Sequence, residues 1–338
     1  MKKGFTTNLL KLLGSALILW LLVSRIEWDK KTFSEVLGKL DLFWYLLSLT
    51  GVLLVLGVKS LRWNRLLRYE GCSYSYVKSF HAYLASFTIG LITPGRLGEI
   101  ARLYYVREDT GTGFYQSFKT IVSDRIFDFA ILIWFGATGM LYFYRVLGDH
   151  HGSLYLLLVG IVMFIIWFLL KLSLNKLIRN PRQLSLPGLI KETWGEMFKP
   201  RMAIPWLLTL LAYYIFYLAN QWIFRAINIE LEVTDIGFIL SLMSLATLIP
   251  ISIAGFGTRE ASLVFLLGFY GISPEIAIVF SILQFTAFFL WGGITGWILW
   301  MIKPISISLI KNDYKAFIDM LKKKKQSENL KDNPEHQK

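Results

Sequence analysis

Four ionisable residues sit where an apolar chain should least tolerate them. Arg96 and Glu99 lie in Thr93-Pro94-Gly95-Arg96-Leu97-Gly98-Glu99, and Arg259 and Glu260 lie in Gly255-Phe256-Gly257-Thr258-Arg259-Glu260. Each string follows an apolar run. An arginine can hold a phosphate through two N–H donors at once. Glu99 and Glu260 would neutralise that arginine when no ligand is present, or bind a cationic head group. Gly95, Gly98, Gly255 and Gly257 would let an anionic group approach the backbone closely. A half-helix N-terminus after each break would favour negative charge there. Pro94 and Thr258 are secondary candidates in the same strings. The alternative is a buried Arg–Glu pair that merely pins each break.

A second group, Asp124, Arg125 and Asp128, stands at the mouth of the apolar run Ile126–Tyr144. Asp124 and Asp128 are four residues apart, so one helix face carries both acids. They would partner Arg96 or relay protons, or else they are acids at a solvated helix N-terminus, suited to its dipole. Gln284 follows Glu260 by 24 residues, as Asp124 follows Glu99 by 25. It has a similar role or makes a polar helix–helix contact. Lys59, Arg62, Arg65 and Arg68 recur every third residue. That stripe anchors a helix end at the interface or gathers anionic lipid. His81, within an apolar run, reads as hydrogen-bonded to a neighbouring helix. His150, His151 and His336 lack partners at metal-ligand spacing, so no metal site is expected. There is no nucleophile elbow, no HExxH motif and no triad, and Gly111-Thr112-Gly113 is too short for a phosphate fingerprint. No cofactor is expected, and the chain reads as built to bind and move something rather than as an enzyme.

The elements that must position these residues are membrane helices. Of 338 residues, 55% are apolar and 17% charged, whereas a soluble domain is about a quarter charged. Several charge-free runs approach the roughly 20 residues needed to cross a bilayer. This composition excludes a secreted disulfide scaffold, a cytosolic enzyme and a nucleic-acid-binding module as primary readings. The net charge of +13 reads as topology and attraction to anionic lipid. Cys72 is the single cysteine, so no intrachain disulfide or zinc framework exists.

Full crossings are expected at Leu12–Ser24, Leu42–Val58, Ile126–Tyr144, Leu154–Leu170, Ala203–Phe224 and Ile276–Ile302. Two runs are interrupted, Ser79–Gly95 followed by Ile100–Val106, and Ile236–Ala254 followed by Ala261–Tyr270. If both are re-entrant hairpins and the N-terminus is inside, 27 Lys and Arg lie inside and six outside. Cytoplasmic loops collect positive charge, so the expected fold is an all-α polytopic protein with six transmembrane helices and two re-entrant broken-helix hairpins. Both termini would be cytoplasmic, in the cell membrane. The hairpins then open to opposite sides, and residues 1–150 and 151–305 become inverted repeats within one transmembrane domain, an architecture that recurs in transporters. The alternative is two unrelated Gly/Pro kinks. The 171–201 loop is expected to lie on the inner leaflet as a short amphipathic link. Residues 306–338 form a lysine-rich cytoplasmic tail, expected to be disordered beyond about Ser327.

The strings Ile92-Thr93-Pro94-Gly95-Arg96-Leu97-Gly98-Glu99 and Gly255-Phe256-Gly257-Thr258-Arg259-Glu260-Ala261 resemble those of the lysylphosphatidylglycerol synthase transmembrane-region family, also called flippase-like membrane proteins. The Asp124-Arg125 pair resembles that family's next feature. The resemblance covers most of residues 10–305. It implies a translocase that moves an anionic, aminoacylated or carrier-linked lipid between leaflets. Bifunctional members carry a cytosolic domain that makes the aminoacyl lipid; this chain ends in a polar tail, so aminoacyl transfer is not expected of it.

Three functions remain open at this point. One is a lipid flippase, driven downhill or by an ion, since no nucleotide-binding motif occurs. Another is a membrane enzyme that transfers an aminoacyl or glycosyl group onto a lipid, with Glu99, Asp124 and Asp128 doing acid–base or metal work. The last is a scaffold for a lipid-modifying complex. The expected partners are the bilayer, a phospholipid or lipid-linked substrate and a separate lipid-modifying enzyme, but no nucleic acid.

Overall fold

A computed structural model describes residues 35–91, 93–147, 186–247 and 257–305, with the backbone alone at 94–97, 144–147 and 186–188. The described residues are helical and contain no strand. In chain order they form α1 (Leu42–Tyr69), α2 (Tyr76–Leu91), a 3-10 segment (Pro94–Ala101), α3 (Arg102–Thr110) and α4 (Phe114–Leu147). Then follow α5 (Leu186–Glu196), α6 (Ala203–Ala226), α7 (Val233–Ala246) and α8 (Thr258–Gly268). The last helix runs as α9 (Pro274–Phe285), a π-helical stretch (Thr286–Trp291) and α10 (Gly292–Ile302).

Local chemistry sets these ends. Asp41 caps α1 by accepting the Phe43 N–H at 2.9 Å. Gly111, at φ +67°, stops α3 in a left-handed turn that a side chain disfavours. Proline at the start of α9 loses only an N–H that the first turn leaves unpaired.

Among the described residues four helices are long and apolar enough to cross a membrane: Leu42–Tyr69, Phe114–Phe143, Pro200–Ala226 and Pro274–Ile302. They coincide with four of the expected crossings, and the other two, at 12–24 and 154–170, lie outside the described residues, as does the tail beyond 305. The first interrupted run breaks at Pro94, and its second limb continues to Thr110. In the second interrupted run α7 ends at Ala246 and α8 begins at Thr258; Gly255 and Pro250 lie outside the described residues.

Two helices are longer than hydropathy suggests. α1 continues past Val58 to Tyr69, and α4 starts at Phe114, not near Ile126. The polar turns are stabilised by partners in space. Lys119 of α4 binds Glu70 at 3.1 Å and Glu192 of α5 at 2.8 Å. α5, within the expected surface link, lies on α4 with Leu189 buried.

The spans pack through small residues, as membrane helices do when backbones approach closely. α1 lies along α6, where a Cβ on Gly51 would come within 2.7 Å of the Ala219 Cβ. α2 lies on α10, and α7 lies on α4. At Gly296 a Cβ would overlap the Leu84 carbonyl and the Thr88 hydroxyl of α2. That hydroxyl donates to the Gly293 carbonyl at 2.7 Å.

At the end of α10, Lys303 binds Asp109 of α3 at 2.6 Å, and the Tyr105 hydroxyl donates to the Lys303 carbonyl at 2.7 Å. Burial pushes the Asp109 carboxyl up, but hydrogen bonds from Lys303 and Tyr74 and the charges of Lys303 and Lys78 outweigh it. The carboxyl is thus held below its usual range.

Three outcomes follow from these contacts. Gly296→Leu should overpack the α2–α10 seam by roughly 1–3 kcal/mol and lower the unfolding midpoint in detergent. Gly268→Ala, with open space around it, should leave the midpoint unchanged. Asp109→Asn should destabilise fully above about pH 4, the ordinary aspartate value. Its deficit against wild type should close as pH falls through the depressed folded value, which unfolding midpoints measured from pH 7 downward will check.

Candidate functional site

The long helices bring charge together inside the bundle. Lys59 and Arg62 are one turn apart on α1, so both face the same way. Opposite them stand Asp124, Arg125 and Asp128 on α4, Glu99 on the 3-10 segment and Arg102 at the start of α3. The Arg62 guanidinium donates to Asp124 Oδ1 through Nε at 2.8 Å and lies 3.0 Å from Asp128 Oδ1 through Nη2. Its Nη1 donates to the Thr209 hydroxyl of α6 at 3.1 Å. Arg102 donates to the other Asp124 oxygen at 2.8 Å. Lys59 donates to Asp128 Oδ1 at 3.1 Å, and Arg125 lies 3.6 Å from Asp128 Oδ2. Glu99 pairs with Arg125.

Arg62 and Asp124 are fully buried, and the Arg102 side chain is 1% exposed. Aromatic faces replace water around them. The Arg102 guanidinium lies 4.9 Å from the Trp63 ring and 4.7 Å from the Tyr83 ring, positions that favour a cation. The Lys59 ammonium lies 4.8 Å from the Tyr213 ring.

The second interrupted run builds a smaller cluster. Arg259, 7% exposed, donates through Nε to Glu260 Oε1 at 3.0 Å and to the Ser281 hydroxyl of α9 at 3.0 Å. Ser281 donates to the same Glu260 oxygen at 2.9 Å. The guanidinium sits 5.2 Å from the Phe285 ring. Gly257, at φ +89°, donates its N–H to Glu260 Oε2 at 2.7 Å and turns the chain into α8.

These positions revise several expectations. Asp124 and Asp128 lie inside a long helix, not at a solvated helix mouth, because Arg62, Arg102, Lys59 and Arg125 neutralise them there. They bind these four cations; the side chain of Arg96, one of the partners the sequence offered, lies outside the described residues. Lys59 and Arg62, expected at the membrane interface, point into the bundle. Arg102, counted as a loop charge, is also internal.

The glycine roles change as well. A Cβ on Gly98 would overlap the Ile89 backbone, so this glycine seats the 3-10 segment against α2. The Gly257 N–H is already bound by Glu260, so neither glycine offers the open approach to a ligand that the sequence suggested. Pro94, Gly95 and Arg96 lie on the 3-10 segment, and Thr258 opens α8. Gln284 makes the helix–helix contact, donating to Asn220 of α6 at 2.8 Å.

Lys59, Arg62, Arg102, Thr209 and Ser281 were not singled out as site residues. The available signal was Arg62 three residues beyond Lys59, on a run that continues through Trp63, Leu66 and Leu67. Among the described residues, no three or more His, Cys, Asp or Glu are grouped to hold a metal ion.

The family model described as "Lysylphosphatidylglycerol synthase TM region" matches residues 8–296. A membrane protein of the UPF0104 type from Pyrococcus horikoshii is 25% identical over 173 residues, which is 50% of this chain and 50% of that protein. The match thus spans about half the length of that relative.

Breaking a buried ion pair from one side strands the other charge, at roughly 3–5 kcal/mol. Arg62→Met should therefore lower stability by that order. Arg62→Lys should recover only part, since an ammonium cannot reproduce the guanidinium fork. Lys39→Ala, which removes an exposed pair with Glu35, should have no measurable effect. Denaturation of the purified chain in mixed detergent will rank the three.

Proposed function

The chain belongs to the lysylphosphatidylglycerol synthase transmembrane-region family of integral membrane proteins, and from that premise we propose that it moves lipid head groups between bilayer leaflets. The observation that carries the reading is the ion-paired cluster of Lys59, Arg62, Glu99, Arg102, Asp124, Arg125 and Asp128 within and beside spanning helices. Charges among membrane spans are costly and face protein or water-filled paths, where they mark routes for polar cargo. Irregular backbone at such depth is tolerated only where protein or water satisfies it. The 3-10 break at Pro94 joins directly to the cluster through Glu99 and Arg102.

In this reading the two interrupted runs are re-entrant hairpins in inverted halves, and access alternates as one half rocks against the other. The crosswise packing supports it: α2 lies on α10 of the other half, and α7 lies on α4. So does a parallel between α1–α4 and α6–α9, bridged by Arg62–Asp124 in the first pair and Asn220–Gln284 in the second. Arg96 and Arg259 then meet the head group, with Gly95 and Gly255 beside them. The cargo is an anionic, aminoacylated or carrier-linked lipid supplied by a separate enzyme. The protein resides in the cell membrane with both termini in the cytoplasm.

Reconstitution in liposomes with a leaflet-labelled phospholipid tests the proposal. Wild type should accelerate exchange at least tenfold over Arg96→Ala/Arg259→Ala, roughly the loss of one charge-assisted contact per site. Equal rates for wild type and the double variant would end it.

A further inference from the structure

The charge cluster is not uniformly closed. Its centre, Arg62 with Asp124, is sealed, and Arg102 is nearly so. Its accessible side chains are Arg125, 32% exposed, and Lys59, 17% exposed. These two cations bind opposite oxygens of one carboxylate, Asp128, so they stand side by side at one edge. Among the described side chains the cluster holds four cations, Lys59, Arg62, Arg102 and Arg125, against three carboxylates, Glu99, Asp124 and Asp128. Among these side chains cations outnumber carboxylates by one.

The three acids are not held alike. Asp124 is gripped by two guanidiniums, and Asp128 by Lys59, Arg62 and Arg125. Glu99 binds Arg125 from the 3-10 segment, a short and less favourable helix form. Of the three carboxylates it is the one that does not come from α4.

We infer that Arg125 and Lys59 form the mouth of an oxyanion site that takes one phosphodiester or phosphate group, and that Glu99 is the internal carboxylate this group displaces. A partly exposed guanidinium beside an ammonium suits the oxygens of an anionic phosphodiester. The guanidinium of Arg125 offers its two-pronged edge, and the Lys59 ammonium, steadied by Asp128 and the Tyr213 ring, offers a third donor. Displacing Glu99 removes one of the two ties, with Arg102, between this end of the broken helix and α4, so anion binding loosens the first broken helix from that span. The inference deepens the translocation reading and takes its biological meaning from it.

The test uses the full chain in dodecyl maltoside, a detergent without phosphate. It is titrated calorimetrically with dioctanoyl phosphatidylglycerol in one arm and inorganic phosphate in the other. Wild type should bind in at least one arm, and the tighter arm identifies lipid or free anion as the source. Arg125→Gln and Lys59→Gln should each weaken binding about tenfold or more, the usual loss for a charged hydrogen bond. Glu99→Gln should tighten binding several-fold, because the competing carboxylate is gone. Misfolding cannot produce that gain, so this variant keeps the test decisive even if the others fold poorly. No binding by wild type in either arm, or a Glu99→Gln variant weakened like Arg125→Gln, would overturn the site. Lipid exchange in liposomes without phosphodiester binding would sink the site and leave translocation standing. Binding without exchange would do the reverse.

Discussion

Asp124 carries the structure. Its two carboxylate oxygens are divided between Arg62 of α1 and Arg102 of α3, at 2.6 Å and 2.8 Å, with no exposure to solvent. One side chain of α4 thereby fixes two other helices. An isolated carboxylate would not remain charged in such a place, because desolvation exceeds any single attraction. It is tolerated because two guanidiniums share it, and each guanidinium in turn has further partners. Arg62 also binds Thr209, and Arg102 lies between two aromatic rings. Removing any member leaves the others unbalanced, so substitutions within the cluster should not add independently.

The broken helix depends on that unit. A chain that leaves α2 at Leu91 exposes backbone donors and acceptors that lipid cannot satisfy. Thr93 answers locally: its hydroxyl accepts the Gly98 N–H at 2.7 Å and donates to the Gly90 carbonyl at 3.1 Å. Gly98 brings the 3-10 segment against Ile89, and a Cβ on Gly90 would collide with Glu99. The two glycines set how close the segment lies to α2. Glu99 and Arg102 then tie its far end to α4. Backbone irregularity and buried charge are thus one arrangement, each making the other tolerable.

Much of this was legible in the sequence, for identifiable reasons. Apolar runs exposed the four described spans, and Pro94 with its neighbouring glycines exposed the first break. Glu99, Asp124, Arg125, Asp128, Arg259 and Glu260 stood out because charge is rare in such a chain. The partners of Asp124 and Asp128 on α1 and α3 did not. Arg62 and Asp124 are 62 residues apart, and only packing of α1 against α4 joins them. On sequence alone Lys59 and Arg62 belong to a basic stripe that continues to Arg65 and Arg68, and such stripes ordinarily mark an interface. Gly98 illustrates another limit, since a glycine that admits a ligand and one that admits a neighbouring helix look identical until the neighbour is known. Hydropathy also misplaced the start of α4, because Lys119, Asp124 and Arg125 depress the apolar signal although ion pairs neutralise each of them.

The parallel interfaces differ in strength, and that difference bears on the proposed motion. α1 and α4 are joined by Arg62 and Asp124, a pair whose rupture costs roughly 3–5 kcal/mol. α6 and α9 are joined by Asn220 and Gln284, neutral amides of a kind that contributes about 0.6 kcal/mol between membrane helices. Immediately beyond Gln284, the helix passes into its π-helical stretch from Thr286 to Trp291, an irregularity often found where a helix must adjust. Tyr45 of α1 meets that stretch through a 2.7 Å hydrogen bond to Thr286. Both seams lie within a half, so rocking one half against the other would part α1 from α6, α2 from α10 and α4 from α7 instead. The charged seam of α1 with α4 keeps the first half together as one body, while the neutral seam of α6 with α9 leaves the second half, which carries the Arg259–Glu260–Ser281 cluster, easier to adjust.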